Sequence, residues 1–118
     1  MLQTPLPFNN APSELLYVCR TVVRISEILL LRGDGNYTHI YLTEGRVLLA
    51  SRNIGYYETL LPTERFWRSH KTAIVNRSFI AAIDKKEVVL RDGTRLEVAR
   101  RRRKELKTKT HKSIKITF

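Results

Sequence analysis

Short apolar runs separated by turn-forming pairs constrain this chain more than any other feature of its sequence. Gly33-Asp34-Gly35-Asn36, Glu44-Gly45 and Asp92-Gly93 are places where Gly and Asn can supply the positive φ of a tight reversal. Between them, Tyr37-Thr38-His39-Ile40-Tyr41-Leu42 and Val47-Leu48-Leu49-Ala50 are too short for stable helices and rich in residues that favour strands. Strand character also marks residues 14–32 (Val18, Val22, Val23, Ile25, Ile28), then Ala73-Ile74-Val75, Phe79 to Ile83, Val88-Val89-Leu90 and Arg95 to Val98. One segment departs from this. From Asn53, the residues Ile54, Tyr57, Leu60 and Leu61 recur at helical spacing, Asn53 suits an N-cap, and Pro62 closes a helix of about two turns. The expected fold is mainly β: small packed antiparallel sheets with one or two short helices.

A chain of 118 residues fits one domain with a real core. Residues 1–19, with Pro5, Pro7, Pro12 and Asn9-Asn10, are expected to form a flexible N-terminal arm or linker. The folded domain is expected over 20–108, and 109–118 as a basic C-terminal tail. The lone Cys19 excludes an internal disulfide and reads as an inert, half-buried thiol among Leu16, Val18 and Val22. The N-terminus lacks the basic region of a signal peptide, and runs such as Ile28 to Leu31 are too short to span a bilayer. A cytoplasmic location and no membrane partner are expected.

The charge has an address. Of a net +11, the stretch Arg100 to Lys112 carries eight Lys or Arg against one Glu, or +7. Clustered positive charge points to a polyanion, because binding releases the counterions condensed on it. A second basic stretch, Arg68-Ser69-His70-Lys71-Thr72-Ala73-Ile74-Val75-Asn76, combines strand-like residues with cations and amide or imidazole donors. Intervening hairpins allow both stretches to lie at one edge of a small sheet.

Catalysis finds little support. His39, His70 and His111 have no second histidine at ligand spacing, there is no CxxC pair, and Asp34, Glu44, Asp84 and Asp92 sit in turns. No enzyme activity, metal or cofactor is expected. In a turn, His70 and Lys71 could each donate to guanine N7 or O6, the alternative being a structural histidine. Asn76 reads as a turn-forming residue in preference to a base reader, and Asn36 as a candidate base or backbone contact. The aromatics Tyr37, Tyr41, Tyr56, Tyr57, Phe66, Trp67 and Phe79 follow strand or helix periodicity and are mostly core candidates. They do not suggest a stacking platform for single-stranded RNA.

The order Gly35-Asn36-Tyr37, Leu60-Leu61-Pro62, Phe66-Trp67-Arg68-Ser69-His70-Lys71-Thr72-Ala73-Ile74-Val75-Asn76, Asp92-Gly93 and Val98-Ala99-Arg100-Arg101-Arg102-Arg103-Lys104 resembles the LytTR family of bacterial DNA-binding domains. The resemblance covers roughly residues 20–108. It implies small packed sheets that contact DNA by loops in successive major grooves, as output domains of response regulators bound to paired promoter repeats. By position, Asn36 matches a first contact loop, His70 and Lys71 a second, and Arg101 a base-reading residue of the third. Arg68 is counted with these as a DNA-binding residue, and Arg100, Arg102 and Lys104 would contact phosphate. Two positions depart from the family pattern. Ala99 stands where a serine is usual, removing a helix N-cap worth about 1 kcal/mol, and Ala73 replaces an aromatic.

The sequence therefore predicts a sequence-specific regulator of transcription that binds double-stranded DNA, with a basic RNA-binding or ribosome-associated protein as the alternative. A second copy on adjacent half-sites is an expected partner. A receiver domain needs roughly a hundred residues of its own. Signals are accordingly expected to arrive through a separate protein, unless the chain acts alone or is a fragment.

Overall fold

The computed structural model describes residues 14–84, 86–99 and 115–117. Three sheets account for its strands. Strands β1 (Leu15–Val18) and β2 (Thr21–Arg24) form an antiparallel hairpin. The central sheet contains β3 (Ile28–Asp34), β4 (Tyr37–Leu42), β5 (Val47–Ala50), β6 (Phe66–His70) and β7 (Ala73–Asn76), in the order β5-β4-β3-β7-β6. Helix α1 (Ile54–Leu60) connects β5 to β6. The last sheet, β10-β9-β8-β11, is built from β8 (Ile80–Asp84), β9 (Glu87–Leu90), β10 (Arg95–Glu97) and β11 (Lys115–Thr117).

The central sheet is covered on both faces, which explains why Ile28-Leu29-Leu30-Leu31 is apolar without alternation. Leu31, Ile40 and Ile74 face one core with Leu16, Val18 and Val23 of the hairpin and Ile54, Tyr57 and Leu61 from α1 and its end. Leu30, Trp67 and Val75 face a second core with Ile80, Ile83, Val88, Leu90, Leu96 and Val98. Each wholly buried aliphatic side chain among them contributes about 1.5–3 kcal/mol relative to exposure.

The local expectations for the turns and the helix hold. Asn53 caps α1, its side chain accepting from the Tyr56 N–H at 2.9 Å. Gly35, Gly45 and Gly93 all have positive φ in their reversals, where a side chain would be strained. Asn76 proves structural: its amide donates to Ile28 O at 2.8 Å and its oxygen accepts from Ser78 N–H at 3.0 Å.

Both outer boundaries need correction. Leu15–Val18, placed in the flexible arm, is a strand because Leu16 and Val18 enter the first core while Leu15 and Tyr17 point outward. Lys115–Thr117, placed in the tail, pairs with β8 in parallel, Lys115 opposite Ala82 and Thr117 opposite Asp84. Parallel pairing needs a long connection from the preceding strand, and no local pattern announces it. The aromatic expectation is corrected in part. Tyr57, Phe66 and Trp67 are buried, Tyr41 and Phe79 half-buried, and Tyr37 and Tyr56 exposed. No described helix is long and apolar enough to cross a membrane.

Candidate nucleic-acid interface

Strand register gathers the candidate residues. Strand β3 runs into a two-residue reversal at Gly35-Asn36, with Asp34 paired to Tyr37. Strand β6 runs into a second at Lys71-Thr72, with His70 paired to Ala73. Because β3 and β7 are antiparallel neighbours, Arg32 opposite Ala73, both reversals leave the same end of the central sheet. The Gly33 N–H ties them together by donating to Thr72 O at 2.8 Å. Asn36 and Lys71 are exposed.

A bulge shapes the second reversal. Trp67 pairs with Val75 and His70 with Ala73, so Arg68 and Ser69 together oppose Ile74. The extra residue bends the strand and re-aims the side chains that follow. His70 ends up half-buried, with Nδ1 accepting from the Thr72 backbone N–H at 3.2 Å and lying 3.0 Å from Thr72 Oγ1. A backbone N–H can only donate, so Nδ1 must be the acceptor and the neutral ring carries its proton on Nε2. That Nε2–H is a spare donor; the nearest described acid, Glu97 Oε1, lies 3.9 Å away, beyond hydrogen-bond range.

Arg68 faces inward. Its Nε donates to His70 O at 3.2 Å, and its two terminal nitrogens donate to Lys71 O and Glu58 Oε1, each at 2.5 Å. The side chain is 17% exposed. Arg68 thus lies behind the reversal, while Lys71 has no side-chain partner among the described residues.

The second basic stretch begins beside the first. After β10, Val98 N–H donates to Lys86 O at 2.8 Å and Ala99 N–H to Ser69 O at 2.9 Å. The chain therefore passes against β6 next to His70 immediately before the arginine run. Arg100, Arg101, Arg102 and Lys104 lie outside the described residues.

Two cations at this end were missed by sequence reading. Arg52 follows β5, whose Ala50 pairs with Thr38; Thr38 Oγ1 donates to Arg52 O at 2.8 Å. Its guanidinium carbon sits 4.6 Å from the Tyr56 ring centroid, a cation–π contact that holds the charge at the surface. Arg32 is exposed between His39 and Ala73. The signal for Arg32 was present, a cation directly ahead of the Gly33-Asp34-Gly35 turn; Arg52 needed the β5–β4 register. Asp34, Glu58 and Glu97 accompany these cations, and Glu58 is spent on Arg68.

This end can supply hydrogen-bond donors and positive charge on short, well-fixed reversals. Among the described residues no group of three or more His, Cys, Asp or Glu could hold a metal ion.

Comparison with known proteins agrees with this geometry. No curated protein matches the sequence. Among solved structures, the chain is similar to the LytTr DNA-binding domain of a Bacillus cereus protein described as a methyl-accepting/DNA response regulator. The TM-score is 0.68 at 22% identity, over 80% of this chain and 92% of that one, which establishes a shared fold. The family model described as LytTr DNA-binding domain matches residues 19–111, and this chain belongs to that family of DNA-binding domains.

Proposed function

We propose that this chain is a sequence-specific transcription regulator, without catalytic activity, that reads promoter repeats in double-stranded DNA through loops set in the major groove. The observation that carries the reading is the convergence of three chain segments at one sheet end: the Asn36 reversal, the His70–Lys71 reversal and the passage at Ala99. Asn36, His70 Nε2–H and Lys71 offer donors to base edges, and Arg101 a bidentate fork suited to guanine. Arg100, Arg102 and Lys104 neutralise phosphates and set register without carrying sequence information. Arg32 and Arg52 extend the same positive field.

One such module has a small footprint. Two copies on adjacent half-sites are its partners on DNA, and a separate signalling protein supplies the input, in the cytoplasm where the promoter lies. The test is selection of a random duplex library on the purified protein at about 150 mM salt, where exposed charges are screened within roughly 8 Å. An enriched motif, repeated at about one helical turn, is expected. Retention without enrichment would show that the cations grip phosphate alone, and would overturn the sequence-reading role.

A further inference from the structure

Arg68 sits in the bulge of β6 just ahead of the Lys71–Thr72 reversal, and three of its five N–H groups are used within the chain. Its acceptors have a pattern: two are the consecutive carbonyls of the reversal, His70 O and Lys71 O, and the third is Glu58 on α1. A planar guanidinium can span two neighbouring carbonyls and a carboxylate at once, whereas an ammonium cannot do so in fixed geometry.

We propose that Arg68 and Glu58 are a positioning pair that fixes the Lys71–Thr72 reversal against helix α1, so that Arg68 serves DNA selection without touching DNA. The inference rests on the reading of that reversal as a DNA contact. Helix α1 is a firm reference point. Ile54 and Tyr57 anchor it in the first core, and Asn53 caps it. From α1 the connection runs through Glu58 and Arg68 to the reversal. It then returns through Thr72 O to Gly33 N–H, beside which Ile54 itself packs. The ring of contacts is closed, and Glu58 is the member that joins it to α1 through a side-chain hydrogen bond.

The sign of the Glu58 effect separates this idea from simple electrostatics. Removing an acid adds one positive charge, which by charge alone tightens binding to any duplex. Loss of a positioning group weakens the preferred duplex and leaves the others unchanged or tighter.

The experiment uses the full chain with Glu58→Ala, Glu58→Gln and Arg68→Gln, measured on the selected duplex and on a scrambled one across a salt series. Glu58→Ala should lose about 3- to 30-fold in the ratio of the two affinities, the size of coupling through one contact. Glu58→Gln should keep most of that ratio, because its amide oxygen still accepts from Arg68. Arg68→Gln should lower the ratio while leaving the slope of log affinity against log salt unchanged; a lost phosphate contact would reduce that slope by about 0.9.

Amide hydrogen exchange on the DNA-free protein gives a second measurement, with Thr72 N–H expected to exchange faster in Glu58→Ala. Tighter binding of Glu58→Ala to both duplexes, a reduced salt slope for Arg68→Gln, or unchanged Thr72 exchange would each overturn the positioning pair. Should Arg68→Gln fail to fold, the Glu58 variants and the exchange measurement still decide. A wild-type protein with no preferred duplex overturns the DNA reading instead, and exchange at Thr72 then judges the pair by itself.

Discussion

The reversals at Gly35-Asn36 and Lys71-Thr72 leave the same end of one sheet and are held in opposite ways. The first is held by its backbone: Gly35 takes a positive φ, Asp34 pairs with Tyr37, and the exposed Asn36 side chain makes no hydrogen bond to another described residue. The second is wired by side chains, with Arg68 bonded to two of its carbonyls and His70 Nδ1 to the Thr72 N–H. A backbone-held reversal leaves its side chain free to choose a partner. A side-chain-held one offers a fixed platform at the cost of using the side chains that build it. Both strategies meet at Gly33, whose N–H links the two.

That junction is the place to break both reversals at once. A Cβ at Gly33 would lie 3.0 Å from Ile54 Cγ2 and 3.1 Å from Ile54 Cβ, and the Ile54 side chain is buried in the first core. Gly33→Val should destabilise the fold by about 2–3 kcal/mol, the upper part of the range for overpacking, read as a lower urea midpoint at unchanged slope. Specific DNA binding should fall with it. An unchanged midpoint would show that α1 yields easily, and that the link between the reversals is looser than the contact distances imply.

How much of this was visible in the sequence follows the distance over which each feature acts. Asn53 capping α1, the reversals at Gly35-Asn36 and Asp92-Gly93, and the strand character of β4 depend on residues a few positions apart, and local chemistry carried them. Asn76 was read correctly because it follows a strand and precedes a reversal. Arg68 was grouped with the DNA contacts because a cation in a basic stretch looks free until its acceptors are known; one acceptor, Glu58, lies ten residues away. The same limit hid β11, whose partner comes from a parallel pairing, and the reversal at Cys19, a residue with positive φ, that folds β1 onto β2. It also hid the Ala99–Ser69 hydrogen bond, which joins the two basic stretches in space. Sequence indicated what kind of end the sheet has, but not which of its side chains hold the end together.

A smaller effect sharpens the contrast by treating the two exposed side chains alike. Lys71→Ala on the wired reversal should cost about 1–2 kcal/mol on the selected duplex, as expected for a lost contact from a fixed position. Asn36→Ala on the backbone-held reversal should cost about 1 kcal/mol or less, since a free side chain must first be ordered in order to bind. Competition binding with both variants checks the order. Equal losses would remove the distinction between platform and free side chain, and a larger loss at Asn36 would reverse it.

The smallest effect comes from a third reversal, Asp92-Gly93, which precedes β10 at the end opposite Ala99. Here the holding group is an acid: the Asp92 carboxylate accepts from Thr94 N–H at 2.9 Å. That backbone N–H, helped by the Thr94 hydroxyl, keeps the Asp92 pKa below its usual value. A carboxyl whose folded pKa lies below the unfolded one, near 3.9, stabilises the fold above that value and loses its contribution as pH falls through the folded pKa. Asp92→Asn keeps an oxygen acceptor and removes the titration. Its unfolding midpoint should lie slightly below wild type at pH 7 and approach it on acidification below about pH 4, where the wild type loses the contribution of the carboxylate. Asp84, which accepts from the N–H groups of Lys86 and Glu87 and is lowered for that reason, remains titratable in the variant, so only part of the acid sensitivity should disappear. Parallel acid limbs for the two proteins would mean that the carboxylate does not hold this reversal. DNA binding near neutral pH should not change, because Asp92 makes no contact with either reversal proposed to meet base edges; its carboxylate is spent on Thr94.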